Sequence, residues 1–111
     1  GAGSICEGTV TEREAMFKQM VAEFPDSPMG HFSLGKFLLE EKRYAESVLA
    51  LEKAVAIDPG YAAAWVALGD AHAGANDAAR ARASWERALE TPHGKKDQSL
   101  QADLEQRIAE L

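Results

Sequence analysis

The sequence holds a single cysteine, Cys6, in 111 residues. One thiol closes no internal disulfide, so packing alone must hold the fold, and a reducing, cytoplasmic setting is the expectation. No His, Lys or Arg stands next to Cys6 to lower its pKa, so it reads as incidental rather than as a nucleophile. Aromatic residues are scarce at 7%. No apolar run approaches the length of a membrane span, so no membrane-spanning helix is expected. A basic stretch is missing too. The net charge is −6, and the parts 1–27, 28–61 and 62–111 carry −3, −1 and −2 with both signs mixed throughout. Such a chain repels phosphate backbones and anionic lipid, so neither nucleic acid nor membrane is an expected partner.

Chemistry-bearing motifs are equally absent. There is no P-loop, no dinucleotide-binding glycine fingerprint, no zinc-ligand spacing and no nucleophile elbow. Glu40 and Glu41 are adjacent, but consecutive helical residues point about 100° apart and do not converge on one substrate. His31 and His72 read as packing residues and His93 as solvated, since no Cys or second His lies at ligand spacing. The expectation is therefore no catalytic residue, no metal, no cofactor and no enzyme.

What the chain does have is a 34-residue echo of itself. Leu34-Gly35 returns as Leu68-Gly69, Ser47 as Ala81, Leu51 as Trp85, and Ala54 as Ala88. The register also runs backwards, from Phe17 to Leu51, Met20 to Ala54 and Pro25 to Pro59. The pattern suits pairs of antiparallel helices, A then B. Gly35 and Gly69 leave room for a neighbouring helix backbone at a propensity cost of about 1 kcal/mol. Leu51 and Trp85 are large buried knobs, Ala54 and Ala88 are small positions, and Pro25 and Pro59 end helix B.

The copy Trp65-x-x-Leu68-Gly69-x-x-His72, continued by Ala81-x-x-x-Trp85-x-x-Ala88, resembles the tetratricopeptide repeat (TPR) family. So does His31-x-x-Leu34-Gly35-x-x-Leu38, continued by Ser47, Leu51, Ala54 and Pro59. His31 stands where Trp is usual, and Leu38 and His72 where an aromatic is usual. The resemblance implies an all-α superhelix of antiparallel helix pairs, with about six helices. Residues 1–10 form a disordered leader, in which Gly1-Ala2-Gly3-Ser4 reads as a cloning scar that hides the native start. Residues 11–26 form a half-repeat helix B over 11–23, starting at Thr11 as N-cap with Glu14 completing a capping box. Repeat 1 spans 28–61, with helices 28–41 and 44–57, and repeat 2 spans 62–94, with helices 61–74 and 77–90. A capping helix over 97–110, within 95–111, follows the break at Thr91-Pro92-His93-Gly94. It carries Leu100, Leu104, Ile108 and Leu111 on one stripe, with Gln101, Glu105, Gln106 and Glu110 opposite.

The resemblance further implies a concave groove lined by the A helices that binds a protein or peptide partner. In register, helix A of repeat 1 supplies Met29, Phe32, Ser33, Lys36, Leu39 and Glu40. Helix A of repeat 2 supplies Ala63, Val66, Ala67, Asp70, Ala73 and Gly74. Lys36 and Asp70 stand at equivalent positions and are expected to pair. The result is a shallow, mainly apolar trough for an amphipathic helix or extended segment. Relatives that grip acidic chaperone tails use Lys, Asn and Arg here, and only Lys36 matches, which disfavours that ligand. The alternatives are a weak homodimer through Met16, Met20 or Leu104, and a non-catalytic piece of a larger protein.

Overall fold

The computed structural model describes residues 2–111, with side chains from Val10 onward; Cys6 lies outside those side chains. Seven helices and no strand are found among the described residues. They are α1 (Ala2–Glu23), α2 (Pro28–Glu40), α3 (Tyr44–Ile57), α4 (Ala62–Gly74), α5 (Ala78–Glu90), α6 (Pro92–Lys96) and α7 (Gln98–Ala109). Among the described residues no helix is long and apolar enough to cross a membrane.

The helix boundaries follow from local chemistry. Ser27, Asp77, Thr91 and Asp97 stand before α2, α5, α6 and α7, each accepting a hydrogen bond from an otherwise orphaned backbone N–H of the first turn. Pro28 and Pro92 fill first helical positions, where a missing N–H costs nothing. The A-to-B turns of the two repeats are superposable in hydrogen bonding. Lys42 N–H donates to Leu39 O and Arg43 N–H to Leu38 O, at 3.0 and 2.9 Å; Asn76 N–H donates to Ala73 O and Asp77 N–H to His72 O, at 3.1 and 2.9 Å. Each turn passes through the left-handed region at φ 61° for Lys42 and φ 64° for Asn76. This is the helix-ending motif that glycine usually serves, here carried by two other residue types.

The core falls into three clusters along the stack of helices. Phe37, Leu38 and Ala50 form its first part, with Phe17 of α1 and Leu34 against them. Leu51, Ala54, Val55, Ala64, Ala67, Leu68 and Ala71 join α3 to α4. Ala81, Trp85, Ala88 and Leu104 join α5 to α7. Gly30, Gly35 and Gly69 show why small residues recur. A Cβ on Gly35 would collide with the Leu51 side chain and one on Gly69 with the Trp85 indole, whereas one on Gly30 would meet backbone of Met20 and Val21. Gly35 and Gly69 thus make room for side-chain knobs, not for the helix backbone expected there. The backbone approach is found at Gly30, between α1 and α2.

His31 and Trp65 are equivalent in the repeat and do equivalent work. Trp65 Nε1 donates to Pro59 O at 2.8 Å, and His31 Nε2 lies 3.0 Å from Pro25 O, as a donor in the tautomer that protonates that nitrogen. The imidazole therefore substitutes for the indole at a repeat-closing hydrogen bond, and its Nε2 is occupied.

Several expectations are corrected at the ends of the chain. α1 runs through Thr11 from Ala2, so no N-cap lies at Thr11. Glu14 does not turn back to form a capping box; it binds Arg43 Nη1 at 2.6 Å and Lys18 Nζ at 3.0 Å. The Thr91–Gly94 break is a short helix, α6, because Thr91 caps it and Pro92 starts it. Gln101 does not face water with Glu105 and Gln106: its Nε2 donates to Gly94 O and Lys95 O, tying α7 to α6. Leu104 is fully buried, which removes it as a pairing surface, and Leu111 is 49% exposed, off the buried stripe. The exposed large apolar side chains include Met16 and Phe24, on α1 and just after it.

Candidate functional site

The A helices α2 and α4 stand side by side and border a groove of about 580 Å³. Its floor is low because repeat 2 places Ala62, Ala63, Val66 and Ala67 there. Alanine is strongly helix-forming and carries nothing beyond Cβ, so α4 leaves space instead of filling it. Phe32 of α2 forms one wall. Its ring lies 4.9 Å from that of Tyr61, inclined by 35°, so the two rings make one apolar surface. Leu100 of α7, His93 of α6 and Asp97 complete the lining.

Of the expected groove residues, Phe32, Lys36, Ala63, Val66, Ala67 and Asp70 meet in this cavity. The others lie elsewhere. Met29 is 60% exposed on the first turn of α2, beyond the lining. Ser33 is half-buried outside it. Leu39 is half-buried, packs against the Leu51–Leu68 part of the core and does not line this cavity. Glu40 is exposed, with Arg13 of α1 3.9 Å from its carboxylate. Ala73 packs near Trp85 and lines a separate shallow depression with Asp70 and Arg107. Gly74 is covered by the Tyr44 ring of α3.

The expected Lys36–Asp70 pair is not formed. Asp70 Oδ1 instead accepts from Arg107 Nη1 at 2.6 Å, and Arg107 also holds Asp103 at 3.1 Å. Burial works against the guanidinium, but the hydrogen bonds and charge of Asp70 and Asp103 keep its pKa raised. Lys36 has no ion pair among the described residues. Partial burial, with Asp58 a second influence, raises the Tyr61 hydroxyl above its ordinary range and keeps it a neutral donor.

Sequence reasoning missed Asp58, Gly60, Tyr61, Ala62, His93, Asp97 and Leu100, all of which line the groove. Asp58-Pro59-Gly60-Tyr61 had the composition of a turn, and its second role shows only when α2 is laid beside it. The apolar stripe of α7 was a usable signal, since Leu100 is its first member.

Comparison with known proteins gives a consistent outcome. The family model described as tetratricopeptide repeat matches residues 38–104. The TPR repeat-containing protein PA0015 of Pseudomonas aeruginosa is 37% identical over 81 residues, which cover 71% of this chain and 77% of that protein. Protein BPP2914 from Bordetella parapertussis, whose structure is known in solution, is 29% identical with a TM-score of 0.73, over 87% of this chain and 84% of that one. The first TPR of Spaghetti (RPAP3), bound to the HSP90 peptide SRMEEVD, has a TM-score of 0.79 over 99% of this chain and 85% of that one. At 19% identity it attests the fold alone.

Proposed function

The chain belongs to the tetratricopeptide repeat family, whose fold generally serves as a protein-interaction module, and on that premise we propose that its concave groove binds a peptide or helix of a partner protein. The observation that carries this reading is the alanine floor of α4 between the Phe32–Tyr61 wall and Leu100. An apolar trough of about 580 Å³ suits one or two hydrophobic anchors of an amphipathic segment. The role is one of binding, with no catalytic residue assigned. The exposed apolar side chains of α1 and its end keep self-association as the second reading, through Met16 rather than Leu104.

The groove is tested by filling it. Ala63 is exposed and lines the floor, so Ala63→Gln adds bulk without adding charge or opening the core. Affinity capture with Ala63→Gln and Phe32→Ala should lose the specific partner, and Leu49→Ser on the far face should keep it. Retention of the same partner by all three variants would contradict the reading.

A further inference from the structure

Resting on the groove reading above, we infer that the bound segment is basic as well as apolar: a Lys or Arg lays its aliphatic stem on the Phe32–Tyr61 rings and brings its charged head to Asp58 and Asp97. The groove is not uniformly neutral. Its lining carries three carboxylates, Asp58, Asp70 and Asp97, against Lys36 and the imidazole of His93. These charges are sorted along its length. Asp97 and Leu100 share the cavity with Ala62 and Ala63 at the start of α4, while Arg107 meets Asp70 and Ala73 near its end. α7 therefore runs beside α4 in the same direction. The far end holds Lys36 and the network of Asp70, Arg107 and Asp103, a net of zero. The near end holds Asp58 and Asp97, with Lys96 in the depression adjoining Asp97, a net of −1 with His93 counted neutral.

The near end is also where the carboxylates are held in place. Asp97 Oδ1 accepts from Leu100 N–H at 3.0 Å and Asp58 Oδ1 from Gly60 N–H at 3.0 Å, so neither side chain must be ordered again when a ligand arrives. Asp97 Oδ2 faces His93 Nε2 at 3.2 Å. Asp58 has no cation of its own among the described residues. Two packed rings beside a fixed carboxylate suit an amphipathic cation, whose stem prefers an apolar surface and whose head prefers ring faces and carboxylate oxygen. An acidic segment would place its charges against Asp58 and Asp97, and Lys36 at the other end is already offset by the surrounding charges.

A random phage-displayed peptide library, selected in parallel on wild-type and Ala63→Gln protein, tests this. Sequences enriched on the wild type alone should place Lys or Arg beside an apolar residue. Asp58→Asn and Asp97→Asn keep the turn and the helix cap, since Asn accepts the same backbone hydrogen bonds. The double variant should bind the selected peptides about fivefold more weakly and lose much of their salt dependence. Wild-type-specific peptides that are neutral or acidic would overturn the charge inference and leave the groove reading standing. Enrichment that is absent, or identical on Ala63→Gln, would overturn both.

Discussion

In repeat 1 a leucine, Leu51, lies over Gly35; in repeat 2 a tryptophan, Trp85, lies over Gly69. The glycine is common to both and the knob is not. Each repeat also joins its B helix to an A-helix carbonyl with one side-chain donor, but from different places. Ser47 Oγ donates to Gly35 O at 2.7 Å in the first, and Trp85 Nε1 donates to Val66 O at 3.1 Å in the second. Ala81, the counterpart of Ser47, has no hydroxyl to offer, and the indole supplies the bond from one turn further along. Equivalent positions thus preserve a packing relation, a hole under a knob plus one tie to backbone, while the atoms that satisfy it change.

Removing a knob is the harshest way to break this comparison. Trp85→Ala should cost about 3–5 kcal/mol by leaving a cavity over Gly69 and freeing the Val66 carbonyl, measured by chemical denaturation followed through helical circular dichroism. A loss no larger than that of an exposed substitution would refute the knob assignment. Filling the hole comes next. Gly69→Ala should destabilise by about 1–3 kcal/mol despite alanine's better helix propensity, because the rigid indole has nowhere to go. Gly35→Ala should cost less, since the leucine tip can rotate aside. If the two variants were equal, knob rigidity would not be the controlling difference.

The ends of the molecule sharpen the comparison further. Each end helix is pinned by an arginine–carboxylate pair, Arg43 to Glu14 at α1 and Arg107 to Asp70 at α7. Arg43, followed by Lys18, holds the Glu14 carboxyl down at about 2, below its usual 4.5. A carboxylate whose folded-state pKa is depressed stabilises the protein above the unfolded value and loses that contribution as pH falls toward the folded value. The Glu14 contribution should therefore be complete above about pH 5 and fade between 4.5 and 2. Glu14→Gln should cost about 1 kcal/mol near neutral pH, given the solvent access of Arg43, and flatten the acid limb of the stability profile. An unchanged acid limb would mean the pair holds nothing.

The smallest effect lies in the turns. Lys42 and Asn76 occupy the same left-handed position, and Asn tolerates it better than Lys. Lys42→Asn should raise stability by about 0.5 kcal/mol and Asn76→Lys lower it by a similar amount, measured as paired shifts of the denaturation midpoint. Shifts of the same sign would show that the two turns are not equivalent after all.

The groove is legible from sequence only in part, and particular residues show why. Phe32, Lys36, Val66 and Asp70 could be placed because a repeat carries its own coordinate system: once the register is known, each A-helix position is known. Leu39 lies outside the cavity lining because register says which way a side chain starts out, not what already occupies the space it enters. Asp70 was assigned to Lys36 by the same local logic, and Arg107, 37 residues away, reached it instead.

By itself, the sequence determined the helix pairs of the two repeats, the repeat frame, the recurring glycine and knob positions and the turn positions. All of these arise from contacts within one helix or between neighbours whose spacing the 34-residue period specifies. Only the tertiary structure decided that α7 closes the side of the groove, that Tyr61 doubles the Phe32 wall, and that one end of the trough is acidic. Those features join residues from separate units and from outside the repeat, where no periodicity relates one side chain to another. Their energies depend on which groups meet in space, and that is known only when the whole chain has packed.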